Sequence, residues 1–203
     1  MYKRQDAYRR CRAEAQAAFG RDELYVEQRV ARARHIEVQV LGDGSGAVSH
    51  LWERDCSLQR RQQKLLEIAP SPDLPEATRE ALIDCALRMA GAVRYRGIGT
   101  FEFLVDEERP GRFYFMEANP RIQVEHTVTE EVTGVDLLHA QLRLAAGMQL
   151  AALGLERPPA IGGCAVQLRI NLETLAADGS ALSLIHISEP TRPVCSSRMP
   201  SSA

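Results

Sequence analysis

Ile36, Val38 and Val40 alternate with polar residues, a period of two that predicts a half-buried strand over residues 35–41. Asp43-Gly44-Ser45-Gly46 follows, and Asp-Gly with further glycine supplies the positive φ of a tight turn. Residues 47–52 then return as the partner strand. Upstream, the Ala/Arg/Glu pattern of residues 6–20 predicts a helix stopped by Gly20. Residues 24–27 read as a short strand and residues 29–34 as a connector. Pro70 and Pro72 break the chain, and Pro75 suits the first turn of a helix. Leu82, Ala86, Met89, Ala90 and Val93 form an apolar stripe at helical spacing, ended by Gly97 and Gly99. Residues 99–106 and 112–119 flank a turn over 107–111 as a second hairpin. Residues 136–146 form a helix that begins at Asp136 and stops at Gly147. Pro158, Pro159, Gly162 and Gly163 mark a loop before a last strand over 164–171. No internal repeat is present. Hairpins mixed with helices define an α+β chain rather than a doubly wound parallel sheet.

Composition narrows the function classes. A net charge of −2 gives no electrostatic footprint for nucleic acid or an anionic membrane, so neither is expected as a partner. No apolar run reaches the length of a membrane span, and a signal peptide is not expected behind Met1. Five cysteines (Cys11, Cys56, Cys85, Cys164 and Cys195) are odd in number and form no CxxC pair. Reduced thiols and a cytoplasmic location are expected. The chain uses arginine almost everywhere and has only two lysines, Lys3 and Lys64. Keeping a lysine at one internal position suggests that a compact ammonium is needed where a planar fork would not serve.

Polar chemistry is concentrated in three stretches. If the second hairpin is symmetric about its turn, residues whose numbers sum to about 219 face each other, which pairs Glu102 with Glu117 on one face. Asn119, two residues on, shares that face. Facing carboxylates share a proton, turn outward or hold a cation between them. Glu, Glu and Asn form an oxygen-only set suited to Mg²⁺ or Mn²⁺. The second stretch, Arg121-Ile122-Gln123-Val124-Glu125-His126, places Arg121, Gln123 and Glu125 on one side if it is extended. Arg121 and Glu125 would then lie about 13 Å apart, so the segment must curl to act on one small substrate. The third, Gln59-Arg60-Arg61-Gln62-Gln63-Lys64, is denser in cations and amides than a core strand tolerates.

Together these strings resemble the carboxylating ATP-grasp enzymes, and more narrowly biotin carboxylase and the biotin carboxylase domains of biotin-dependent carboxylases, across residues 6–180. The resemblance implies an ATP-grasp fold that carboxylates biotin with ATP and bicarbonate through carboxyphosphate. It implies that Arg121, Gln123 and the Val124 backbone bind bicarbonate while Glu125 takes its proton as general base. Lys64 would face bicarbonate or the transferring phosphoryl group, and Arg169 in Leu168-Arg169-Ile170-Asn171 would stabilise the biotin enolate. Glu27, Val30, His35, Gln59 and Gln62 would contact ATP. Glu102, Glu117 and Asn119 would hold the Mg²⁺ or Mn²⁺ that accompanies it. The family commonly has His where Gln62 stands, and a carboxamide cannot titrate near neutral pH. His50, His139 and the cysteines are assigned structural roles. Expected partners are biotin on a carrier, a carboxyltransferase and, for the parent enzyme, further copies of itself. Another ATP-grasp carboxylate–amine ligase and a non-catalytic nucleotide-binding remnant are the alternatives.

The two ends have a different origin in this reading. Residues 182–192 resemble the translation of a transposase-type sequencing adapter. Its reverse complement, with GTG as start codon, reads Met1-Tyr2-Lys3-Arg4-Gln5. Residues 1–5 and 182–203 are therefore expected to be adapter-derived, with 182–203 disordered. Residues 6–30 would end the lid subdomain and its hinge, and 31–181 would form a truncated C-terminal ATP-grasp subdomain. Lacking the Gly-rich lid, the chain alone is expected to be inactive.

Overall fold

The computed structural model describes residues 2–60 and 62–170, together with the backbone of residues 174–175 and 181–182. Residues 1–167 form one unit and residues 168–203 a second. In the first unit, helix α1 (Tyr2–Phe19) precedes strands β1 (Ala33–Asp43), β2 (Val48–Arg60) and β3 (Gln63–Ala69). Helix α2 (Glu76–Ala92), strands β4 (Arg96–Asp106) and β5 (Phe113–Asn119), and helices α3 (His126–Thr133) and α4 (Leu137–Ala145) follow. A single 3-10 turn (Ala151–Leu153) leads to β6 (Ala165–Leu168). The six strands make one sheet in the order β5-β4-β1-β2-β3-β6. The second unit contains a two-stranded ladder of β7 (Thr174–Leu175) and β8 (Ala181–Leu182). The expected disorder of the tail falls outside the described residues except at Leu182.

The alternation along β1 divides the molecule. Ile36, Val38 and Val40 point to one face and join Phe101, Phe103 and Val105 of β4 against Leu82, Ile83, Ala86 and Ala90 of α2. Burying such branched and aromatic side chains contributes about 1.5–3 kcal/mol each relative to exposure. The other face is split. Toward one end Leu41, Leu51 and Ile98 pack under Leu137, Ala140 and Leu144 of α4. Toward the other end that face is polar, and the candidate chemistry lies there. Ala69 with Val128 and Val132 of α3 closes a third, smaller cluster beside it.

Register shifts interrupt the ladders β1–β2, β2–β3 and β4–β5, and two of them bear on the site. Glu102 pairs with Glu117 and Thr100 with Asn119, as the sum of 219 predicts. Beyond them an extra residue, Met116, shifts the pairing so that Phe103 faces Phe115. In β2 the register slips between His50 and Glu53, where Trp52 takes a φ of 63°. An extra residue at a bulge bends and twists the strand. The strand expected over 47–52 therefore continues to Arg60 with its parity reversed.

Several sequence expectations are corrected. Residues 24–27 form no strand, and Tyr25 and Val26 are exposed at 83% and 94%. A strand needs a neighbour for its backbone, and none of the described strands lies beside this segment. Helix α2 ends at Ala92, capped through the Val93 amide to the Gly91 carbonyl, so Val93 leaves the stripe and is exposed. Gly97 and Gly99 belong to β4 and do not stop the helix. The last strand is shorter than expected, Ala165–Leu168. Gly20, Gly44 and Gly147, by contrast, take the positive φ their positions predicted.

Gly42 permits the close crossing of β1 over the segment after α2. A Cβ built there would lie 2.2 Å from the Tyr95 carbonyl oxygen, which is backbone and cannot rotate away. Gly42→Ala is expected to destabilise the fold by about 1–3 kcal/mol, the usual cost of overpacking. A urea denaturation midpoint unchanged from wild type would contradict this.

Candidate functional site

The sheet register builds the site as a row. Arg54 of β2 pairs with Glu37 of β1, Glu37 with Glu102 of β4, and Glu102 with Glu117 of β5. Four charged residues thus stand side by side across four strands on the polar face. A second row, Gln39, Thr100 and Asn119, lies one step along. Arg54, Glu37 and Glu102 are buried, whereas Glu117 is exposed at the sheet edge.

The Arg54 guanidinium is fully buried and spends the donors of its two terminal nitrogens across the row. Nη1 donates to Gln39 Oε1 at 2.8 Å and to Thr129 Oγ1 at 2.9 Å. Nη2 donates to Thr100 Oγ1 at 3.1 Å, Glu37 Oε2 at 3.2 Å and Gln123 Oε1 at 3.5 Å. Its pKa is pushed down by burial, which the surrounding carboxylates oppose.

Lys64 enters from β3. Its ammonium donates to Glu125 Oε1 at 2.7 Å, to Glu37 Oε1, and more loosely to Glu102 Oε1 at 3.4 Å. Three N–H donors meet three carboxylates. His35 closes the other side, with Nε2 2.6 Å from Glu102 Oε2 and Nδ1 2.8 Å from Gln59 Nε2. The second contact makes Nδ1 the acceptor, so Nε2 carries the proton and donates to Glu102. Gln123 donates to Glu102 Oε1 at 2.8 Å.

Burial by itself would raise both acidic groups. For Glu102 the hydrogen bonds from His35 and Gln123 and the charge of Lys64 overcome it and bring the pKa to about 2. For Glu125 the Lys64 hydrogen bond and charge, then its own backbone amide and Arg54, bring it below the ordinary carboxylate value. Both are ionised at neutral pH. Buried charges persist only when paired and hydrogen-bonded, and these are.

The segment after β5 curls. Arg121 to Glu125 leave the sheet as an irregular turn, and Glu125 caps α3. The strict alternation of an extended segment is therefore lost. Ile122 still turns to the α4 cluster, while Gln123 and Glu125 are buried beside the charged row. Val124 is exposed, and its carbonyl accepts from Gln167 at 3.3 Å. Arg121 is exposed and places Nη1 3.2 Å from the Ile122 carbonyl. Gln59 and Arg60 end β2 and pair with Lys64 and Gln63 at the start of β3. Gln62, exposed with a φ of 66°, lies at the bend between them.

The carboxylates at the rim fit a cation. Asn119 Nδ2 reaches Glu102 Oε1 at 2.8 Å and Glu117 Oε1 at 2.9 Å, so one atom touches both acids. Turning the amide over would present Asn119 Oδ1 to the same point, giving three oxygen donors. Ligand-capable atoms also converge deeper, at His35, Glu37 and Glu102 and at Glu37, Cys56 and Glu125. There the Lys64 ammonium already provides the positive charge, so the rim is the better cation position. Burial pushes the Cys56 thiol well above its usual range, which keeps it protonated and a poor ligand.

The structure thus brings His35, Gln59, Lys64, Glu102, Asn119, Gln123 and Glu125 together, with Glu117 at the edge. Glu27 lies exposed and Val30 half-buried in the irregular segment before β1. Arg169 belongs to the second unit. Sequence reasoning missed Arg54, Glu37, Thr100 and Thr129. The available signal was Glu37 alternating with the apolar residues of β1, two positions from His35. His50, set aside as structural, is held neutral by burial with a pKa of about 4 and accepts from the Trp52 amide at 3.1 Å. Cys11, Cys56, Cys85 and Cys164 are all free.

With this geometry in place, the relatives are informative. Residues 3–153 match the family described as carbamoyl-phosphate synthase L chain, ATP binding domain, and the chain belongs to that family. Pyruvate carboxylase 1 of Caenorhabditis elegans is 55% identical over 170 residues, covering 83% of this chain and 14% of the relative. The human mitochondrial pyruvate carboxylase is 51% identical over the same length and coverage. Among solved structures, the biotin carboxylase domain of a single-chain bacterial carboxylase is 59% identical, with a TM-score of 0.68 over 77% of this chain and 36% of that one. The biotin carboxylase domain of Hydrogenobacter thermophilus 2-oxoglutarate carboxylase, in complex with MgADP, ADP and bicarbonate, is 45% identical. Its TM-score is 0.74, over 83% of this chain and 36% of that one. The fold is ATP-grasp, of α+β class. The chain spans 14% of the length of the pyruvate carboxylases it matches. Among the described residues no helix is long and apolar enough to cross a membrane.

Glu102 supplies a pH prediction. Its folded pKa lies below the ordinary 4.5, so its contribution to stability is complete above that value and is lost as pH falls through 4.5 toward 2. The chain is expected to lose stability steeply in this window, and Glu102→Gln is expected to flatten that acid limb. Urea denaturation at successive pH values measures it, and parallel limbs would refute the assignment.

Proposed function

We propose that this chain forms the bicarbonate- and phosphate-handling part of a biotin carboxylase, in which ATP activates bicarbonate as carboxyphosphate and the carboxyl group passes to biotin. The observation that carries the reading is the Lys64–Glu125 pair, 2.7 Å apart, placed beside Glu102 in a chain so similar to biotin-dependent carboxylases. Glu125 is the general base for bicarbonate. While Lys64 holds it, Glu125 is a weak base. A bicarbonate oxygen that draws the ammonium toward itself returns basicity to Glu125 when a proton is there to be taken. The 3.4 Å contact with Glu102 is the loosest of the three Lys64 bonds and the easiest to exchange for a substrate oxygen.

Arg121, Gln123 and the Val124 backbone orient the anion. Arg121 at the rim offers a planar fork suited to two carboxyl oxygens. Glu27, Val30, His35, Gln59 and Gln62 serve the nucleotide, and Arg169 the biotin enolate. Glu102, Glu117 and Asn119 would hold Mg²⁺ or Mn²⁺, which when bound neutralises phosphate charge. Among the described residues Glu102 pairs directly with Glu117 in the ladder, and a cation at the rim would stand between these two acids. The partners in this reading are a biotin carrier, a carboxyltransferase and further copies of the parent enzyme. Residues 6–30 serve as the end of the lid and its hinge, and 31–181 as the C-terminal ATP-grasp subdomain.

The test places residues 6–170 in the corresponding position of a complete biotin-dependent carboxylase and follows bicarbonate-dependent ATP hydrolysis with biotin present. Glu125→Gln is expected to lower kcat by about 10²–10⁴-fold, the range of a lost general base. Lys64→Ala is expected to lower it by about 10²-fold through lost charge stabilisation. Wild-type turnover in the Glu125→Gln protein would remove the base assignment. ATP hydrolysis that ignores bicarbonate but responds to an amine would instead favour a carboxylate–amine ligase.

A further inference from the structure

Arg54 makes no contact with the rim where substrates arrive, yet two site residues are held by one of its nitrogens. Its two terminal nitrogens serve different neighbourhoods. Nη1 binds Gln39 and Thr129, which belong to β1 and α3 and touch neither Lys64 nor Glu125 in the hydrogen-bond pattern. Nη2 binds Glu37 and Gln123, each of which holds a further group of the site. Glu37 passes its other oxygen to Lys64, and Gln123 donates its amide to Glu102. Thr100, directly opposite Gln39 in the ladder, is the remaining partner of Nη2 and faces that nitrogen at 3.1 Å.

We infer that Arg54 is a positioning residue: its Nη2 arm, oriented by Thr100, fixes Glu37 and Gln123 together and thereby sets where the Lys64 ammonium stands. A guanidinium can do this because its five donors lie in one rigid plane, so fixing one arm fixes the other. An ammonium at this position would have three donors and no plane to relate Gln39 and Thr129 to Glu37 and Gln123. Glu37 is fully buried and has carboxylate oxygens bonded on two sides, to Arg54 and to Lys64. Rotation of that carboxylate about its stem would carry Lys64 away from Glu125. The inference rests on the proposed function for the identity of the substrate, but the placement of Lys64 is measurable without any substrate.

The two threonines separate positioning from mere structure. Thr100→Val removes the hydroxyl that orients the site-facing arm, and Thr129→Val removes one that anchors the scaffold-facing arm. Both are buried, both replace an Oγ by a methyl group, and neither touches the proposed substrates. The readout is acylation of Lys64 by a small amine-directed reagent on the 203-residue chain, quantified by peptide mass spectrometry. Lys3, exposed in α1, is the internal reference because these are the two lysines of the sequence. Thr100→Val is expected to raise Lys64 labelling relative to Lys3 by about tenfold or more, the factor that one hydrogen bond to a charged group carries. Thr129→Val is expected to leave the ratio unchanged, and Thr100→Ser, which keeps the hydroxyl, to restore it.

Labelling is run well below each variant's thermal midpoint, and Thr100→Ala replaces the valine variant if the latter folds poorly. Any other pattern overturns the inference, including equal rises in both valine variants or no rise in either. In the complete carboxylase carrying this segment, Thr100→Val should raise the KM for bicarbonate more than that for ATP. The expected labelling pattern without that kinetic split would leave the placement of Lys64 intact and count against bicarbonate as its ligand.

Discussion

A guanidinium with no solvent exposure at the middle of a six-stranded sheet constrains everything around it. Leaving Arg54 unpaired there would cost several kcal/mol, so the sheet must present acceptors on three sides. It does so from β1, β4, α3 and the turn before α3. Those acceptors include a carboxylate, Glu37, whose own burial is tolerated only because two cations share it. The polar face is consequently a closed set of mutual obligations rather than a surface with groups scattered on it. Removing one partner exposes another to an unmet desolvation cost. The apolar cluster under α2 has no such coupling among its own members, which can be exchanged by volume, although Glu53 and Arg79 on the same side keep a buried pairing of their own.

This asymmetry explains which parts of the chain were legible. The α2 face was readable because burial of Ile36, Val38 and Val40 follows a simple period, and period is what a sequence displays. The second hairpin was readable to the level of a residue pair, Glu102 with Glu117, since a short turn leaves few registers. The extra residue at Met116 came after that pair, on the turn side, where the pattern of four consecutive apolar residues gives no parity to violate. The segment at 24–27 failed for the opposite reason. Its side chains have the right propensity, but propensity does not provide the neighbouring strand that a backbone ladder needs.

The site divided in the same way. Glu102, Asn119, Gln123, Glu125 and Lys64 were found because they stand in dense polar strings that an ordinary strand would avoid. Arg54 and Glu37 were missed because each is flanked by residues that mask it. Arg54 sits in Trp52-Glu53-Arg54-Asp55, where charge alternates as it would on a solvated edge, although Glu53 and Asp55 in fact face Arg79 and Arg34 on the opposite side of the sheet. A sequence reader sees three adjacent charges and infers water. The fold instead sorts them to two buried faces and pairs each. Only long-range contacts reveal this, and they leave no local trace.

The bulge at Trp52 carries a consequence for how this chain can change over time. The bulge itself, not the length of the segment, decides which face Arg54 occupies. In an unbroken ladder running on from His50 with every residue kept, Glu53 would stand opposite Glu37, setting two acids against each other, and Arg54 would stand opposite Ile36 on the other face. Removal of the surplus residue would instead leave Glu53 opposite Val38 and Arg54 opposite Glu37, as they are now. Descent can therefore drop that residue more readily than it can straighten the strand around it.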